Sequence, residues 1–109
     1  MTTTPTTPDV PLPAGATEVH DWRVEDGTTS RRFWGSKSDF EVEPDWFNAQ
    51  NGHRCFVAVS VAGTQWADGT IKRWIEADAR GLLTGQDARE LAAKLLAAAG
   101  ELDALELLT

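Results

Sequence analysis

The 109-residue chain has one cysteine, Cys55, no tyrosine, ten basic residues against seventeen acidic ones and, after residue 16, one proline, Pro44. Each shortage excludes something. A single thiol permits no intramolecular disulfide framework and no multi-cysteine zinc site. A net charge of −7 argues against an electrostatically driven grip on nucleic acid, which needs clustered lysine and arginine to displace counterions. The longest apolar-leaning run, residues 91–99, contains Lys94 and falls far short of the roughly 20 residues of a membrane span. Phosphate-cradling loops of the forms G-x-G-x-x-G and G-x-x-x-x-G-K-[ST] do not occur, nor does H-E-x-x-H or a nucleophile elbow. With 41% hydrophobic and 25% charged residues, what remains is an ordinary single globular domain, unusual in holding five tryptophans.

Four of the five prolines lie in the first sixteen residues, MTTTPTTPDVPLPAGA, which carry no lysine or arginine. A secretory signal needs a basic start and an apolar stretch of about 7–15 residues, and this segment has neither. The prolines remove backbone donors, and the threonines supply too little apolar surface to offset the entropy of ordering them. The composition therefore predicts a disordered Thr/Pro-rich tail over 1–16 and one α+β domain over 17–109. With one thiol and no export signal, the expected compartment is the cytoplasm.

Two Asp-Gly pairs, Asp26-Gly27 and Asp68-Gly69, each separate segments rich in Val, Ile, Trp, Phe and Thr, the local signature of β-hairpins. In the second hairpin Val57, Val59 and Val61 alternate with Phe56, Ala58, Ser60 and Ala62, as on a strand with two different faces. Parity then selects the turn. A two-residue loop would set Val61 opposite Glu76 and Val59 opposite Asp78, burying acids against the valine face. A three-residue loop, Ala67-Asp68-Gly69 with Gly69 left-handed, sets Val61 opposite Ile75 and Val59 opposite Ala77 instead. A bulge at Gly63 would have the same effect. Either way Phe56, Trp66 and Trp74 share the other face. Between the hairpins, residues 36–54 predict a short strand around Phe40 and Val42 ended by Pro44, then an irregular loop holding Trp46 and Phe47.

The C-terminal segment reads as a helix. Thr84 and Asp87 form a capping-box-like start, and Leu91, Leu95, Ala98, Leu102 and Leu105 make one apolar stripe. The expected fold is thus α+β: a small antiparallel sheet of about four to five strands, two hairpins, covered on one face by the C-terminal helix.

The stretch GTQWADGTI, followed by LTGQDARELAAKLLAAAGELD, resembles small proteins of actinobacteria and their phages in which a G-x-Q-x-x-D-G hairpin precedes an LT-x-x-x-A-R-x-L-A helix. The resemblance covers under half of the chain and leaves residues 1–55 outside. It implies a strand-rich front with a C-terminal helix, and an origin in a high-GC genome or its mobile elements. It brings no catalytic residues.

Candidate chemistry is sparse. His53 and Cys55 are close enough in sequence for a nucleophile pair, but Cys55 continues the valine face and is more simply a core residue. Asp21 across from Arg31 or Arg32 reads as cross-strand ion pairing. Glu41, Glu43 and Asp45 read as a solvated edge. No catalytic, cofactor-binding or metal-binding residue is expected, and no cofactor. The functional expectation is a non-catalytic interaction or regulatory protein of phage or mobile-element type. It would bind a protein partner, or itself as a homodimer, through Phe56, Trp66, Lys72, Trp74 and Glu76, with no membrane or nucleic-acid partner. An acidic inhibitor or nucleic-acid mimic is the alternative, and a small enzyme or ligand-binding module under the Trp46 loop is the third class.

Overall fold

A computed structural model describes residues 7–108. It contains β1 (Glu18–Val19), β2 (Arg23–Glu25), β3 (Thr28–Val42), α1 (Trp46–Gln50), β4 (Cys55–Trp66), β5 (Ile71–Ala79) and α2 (Gly85–Glu106). The strands form one five-stranded antiparallel sheet in the order β1-β3-β4-β5, with β2 also paired to β3. β1 and β2 therefore run end to end along one side of β3, and β5 is the opposite edge. α2 packs on a single face of this sheet, against β3, β4 and β5, which makes the fold α+β as expected.

The β4–β5 register is the one that parity selects: Val61 faces Ile75 and Val59 faces Ala77. The turn closes with Gly69 N–H donating to Trp66 O at 2.9 Å and Trp66 N–H donating to Thr70 O at 2.9 Å. Gly69 sits at φ +92°, a conformation that a β-carbon disfavours. Asp68 Oδ1 accepts from Thr70 N–H, and this bond holds its carboxyl below the ordinary aspartate range. No bulge forms at Gly63. That glycine serves another purpose, for the Phe33 ring lies where its β-carbon would be.

The bulge lies instead in β3, where the register slips between Trp34 and Lys37. Gly35 and Ser36 together oppose Val61, so the side-chain parity of β3 reverses there. Phe33 before the bulge and Phe40 and Val42 after it then point to the same side, toward α2. Without the slip, one of these sets would face away. What reads in the sequence as two short segments is one 15-residue strand.

The core lies between sheet and helix. Val59, Val61 and Ala98 are buried together, with Ile75, Leu91, Leu102 and Leu105 packed around them. Val59 and Val61, which are fully buried, each contribute about 1.5–3 kcal/mol by leaving water. α2 starts with the full capping box, Thr84 Oγ1 accepting from Asp87 N–H and Asp87 Oδ2 from Thr84 N–H, and it continues without a break through Gly100. Leu95 differs from expectation. At 36% exposed it lies on the rim of the stripe, and small Ala98 is the residue in closest register with the valines.

The helix covers only part of that face. The remainder, around Arg31, Phe33, Gln65 and Arg73, is covered by residues 8–16, which composition alone assigns to a disordered tail. Pro13 is buried, and Ala14-Gly15 forms a tight turn in which Ala16 N–H donates to Pro13 O at 3.1 Å and Gly15 takes φ +77°. Extended proline-rich chain leaves its carbonyls unbonded and has few N–H groups, so it can be held only by donors from elsewhere. The sheet supplies them. Gln65 Nε2 donates to Pro11 O at 2.9 Å, Arg31 Nη2 to Val10 O at 3.3 Å and Arg73 Nη2 to Ala14 O at 3.2 Å. Gln65 is only 2% exposed, and its side-chain oxygen accepts from Arg31 Nε at 2.8 Å. Residues 1–6 of the expected tail lie outside the described residues.

Candidate functional site: the sheet face opposite the helix

The molecule measures 59 × 36 × 20 Å, and the shortest extent corresponds to one sheet plus one helix layer. The face opposite α2 thus has no second layer. Register places its side chains in rows across the sheet: Arg32, Thr64 and Lys72; Trp34, Ala62 and Trp74; then, past the bulge, Lys37, Ser60 and Glu76; Asp39, Ala58 and Asp78; Glu41 and Phe56. All five residues expected to bind a partner, Phe56, Trp66, Lys72, Trp74 and Glu76, lie on this face. They do not form one patch. Trp66 and Phe56 stand at opposite ends of β4, ten residues apart, or about 34 Å along a strand.

Trp74 and Glu76 are brought together, and with them two residues that the sequence reading left out of the site, Arg32 and Trp34. Arg32 Nη2 donates to Glu76 Oε1 at 2.6 Å. The indole N–H of Trp74 donates to the same oxygen at 3.1 Å, and that of Trp34 to Oε2 at 3.4 Å. The Arg32 guanidinium carbon lies 5.0 Å from the Trp34 ring centroid and 5.2 Å from that of Trp74, within cation–π range of both. The Trp74 hydrogen bond foremost, then those of Trp34 and the Arg32 charge, hold the Glu76 carboxyl below the ordinary glutamate range, against the opposing effect of partial burial. The His20 ring packs on Trp34 with centroids 4.5 Å apart, and His20 Nε2 is 3.4 Å from Glu18 Oε1. Arg32 therefore pairs across the sheet with Glu76, and Arg31 with Gln65; the expected ion pair to Asp21 is replaced by these.

Beside the cluster runs a shallow groove of about 640 Å³, lined among others by His20, Trp34, Lys37, Phe56, Ser60 and Asp78. Phe56 is 39% exposed on its rim. Compared with known proteins, the chain matches no family model, and no curated protein or solved structure is significantly similar to it. The site must be read from its own geometry.

That geometry is a mutually bonded cluster of aromatic and charged side chains. Two indoles, a guanidinium and a carboxylate hold one another in place, so these side chains have little rotamer freedom left. Four carboxylates of the face stand beside bases: Glu41 with Arg54, Glu76 with Arg32, Glu25 with Arg23, and Asp78 at 3.9 Å from Arg80. Elsewhere, His53 is exposed outside β4 while Cys55 is buried under Gly81, which separates the one His–Cys candidate pair. Trp46 and Phe47 are exposed on α1, a short helix where the sequence predicts an irregular loop. Among the described residues no group of three or more His, Cys, Asp or Glu is arranged to hold a metal, and no helix is long and apolar enough to cross a membrane.

The signal that would have found Arg32 and Trp34 is the parity argument carried one strand further. It fails at residue 35 because a bulge changes the count, and the local hint of that bulge is Gly35, a glycine inside a strand pattern.

Proposed function

We propose that this protein is a non-catalytic interaction module that takes a protein partner on the sheet face opposite α2, in the setting of a phage or mobile-element accessory protein. The observation that supports this reading is the Arg32–Trp34–Trp74–Glu76 cluster. It presents aromatic and charged groups, locked in place, on a face with no covering layer and beside a groove. Tryptophan and arginine in desolvated, well-packed settings are the residues that dominate protein interfaces. The acidic-mimic alternative requires uncompensated carboxylates on one surface, and the pairing of Glu25, Glu41, Glu76 and Asp78 with bases weighs against it.

The test is affinity capture from the cell of origin with the full chain and two surface variants. Phe56→Asp alters the groove rim without touching the core and should reduce capture of the partner at least tenfold. Leu96→Asp, on the outer side of α2, should leave capture unchanged. The reverse pattern would move the binding surface to the helix and refute the proposal.

A further inference from the structure

The β5 edge is long and uninterrupted. β5 is nine residues long, lies at the end of the sheet and, among the described strands, pairs with β4 alone. Natural edges of this length are commonly interrupted by a proline, a bulge or a covering loop. Residues 71–79 hold no proline or glycine, and their pairing with β4 shows no register shift.

Which backbone groups face outward follows from the ladder. Trp66 N–H donates to Thr70 O and Arg80 N–H to Phe56 O, so in this register the even-numbered residues of β5 exchange bonds with β4. The N–H and C=O groups of Ile71, Arg73, Ile75, Ala77 and Ala79 therefore point away from the sheet.

We infer that β5 pairs antiparallel with β5 of a second copy, about a two-fold axis at Ile75, to form one continuous ten-stranded sheet. The sequence of the strand matches itself in that register. Ile75 meets Ile75, and its outward N–H and C=O exchange bonds with their symmetry mates, as do those of 73 with 77 and 71 with 79. On the α2 side, Ile71 falls opposite Ala79 and Arg73 opposite Ala77. Exposed alanines thus lie across from the larger side chains, and the two Ile75 side chains close an apolar seam next to the core. On the other face, Lys72 falls opposite Asp78 and Trp74 opposite Glu76, each twice by symmetry. These are the pairs without direct backbone bonds, whose side chains approach closest. A shift of the axis to Trp74 keeps the bonding groups in phase but sets Trp74 against Trp74 and Lys72 against Glu76, whose carboxylate Arg32, Trp34 and Trp74 already engage, and a shift to Arg73 or Ala77 dissolves the Lys72–Asp78 pairing. Charge and size together favour the Ile75 register, and the contact is isologous, so it closes at two copies.

This does not rest on the proposed partner face. Its consequence for that face is geometric, since the two open faces become one surface with Trp74 and Glu76 of both copies at its centre.

Sedimentation equilibrium of the full chain across a wide concentration range tests the inference. A dimer is expected. Lys72→Asp sets like charges opposite one another at two symmetric places and should weaken association about tenfold or more. The double exchange Lys72→Asp with Asp78→Lys should restore it. Ala77→Pro removes an outward N–H and no bond to β4, and should give a folded monomer by circular dichroism. A wild-type monomer at every concentration would overturn the inference. So would a dimer indifferent to both Lys72→Asp and Ala77→Pro, or one lost in Lys72→Asp and not regained in the double exchange. Loss of partner capture with the dimer intact would bear on the face proposal alone.

Discussion

Gln65 is the residue on which the docking of the N-terminal segment depends most directly. Truncating it in Gln65→Ala removes the donor to Pro11 O and the acceptor for Arg31 Nε. Each bond is worth about 1 kcal/mol net, and stranding the half-buried Arg31 Nε raises the second figure. The lost methylene adds about 0.8 kcal/mol at a site this buried. The sum is about 3 kcal/mol, which for a domain of this size lowers the melting temperature by roughly 10–20 °C. Denaturant unfolding monitored by tryptophan fluorescence measures it. Hydrogen exchange at Ala16, whose N–H is protected only by the Pro13 turn, reports the local release of the segment. Gln65→Glu separates the parts. It keeps the acceptor for Arg31 and turns an oxygen toward Pro11 O, so Ala16 should lose protection with little global destabilisation. If residues 7–16 are not held on the sheet, Gln65 is a surface residue. Gln65→Ala would then cost less than about 0.5 kcal/mol, and that result refutes the reasoning.

Other perturbations have definite signs. Gly63→Ala should destabilise by about 3 kcal/mol or more in chemical denaturation, because its β-carbon meets both the Phe33 ring and the Lys72 carbonyl oxygen, and the backbone side of that contact cannot yield. Gly100→Ala should stabilise by about 0.5–1 kcal/mol, as the site is in mid-helix with open space around the added carbon; an unchanged unfolding midpoint would place a helix break there. Glu76 has a lowered pKa in the folded state, so its contribution is present above the ordinary glutamate range and is lost as pH falls through the folded value. The stability gap between wild type and Glu76→Gln should therefore be small at neutral pH, because the pair is partly exposed, and should close in acid; a gap that persists in acid contradicts the assignment.

Some of this molecule was legible in the chain itself, for a physical reason. Hairpin register depends on local quantities, the turn chemistry of Asp68-Gly69 and the period-2 pattern of Val57, Val59 and Val61, so the pairing of Val61 with Ile75 and the placing of Phe56, Trp66 and Trp74 on one face can be derived without coordinates. The same holds for the Thr84 capping box and for the helical stripe of α2, whose spacing is set by a single element. The tertiary structure decided whatever depends on groups far apart in sequence. The bulge at Gly35 and Ser36 reverses the parity of β3 and so brings Arg32 and Trp34 to Glu76, 44 and 42 residues away. Ala98 rather than Leu95 centres the helix contact because helix crossing, not stripe membership, sets depth. The N-terminal segment looks unable to order itself, and taken alone it is, having carbonyls to offer and almost no donors. What holds it is Gln65 and Arg73, 54 and 59 residues further along, buried donors whose acceptors no local pattern could supply.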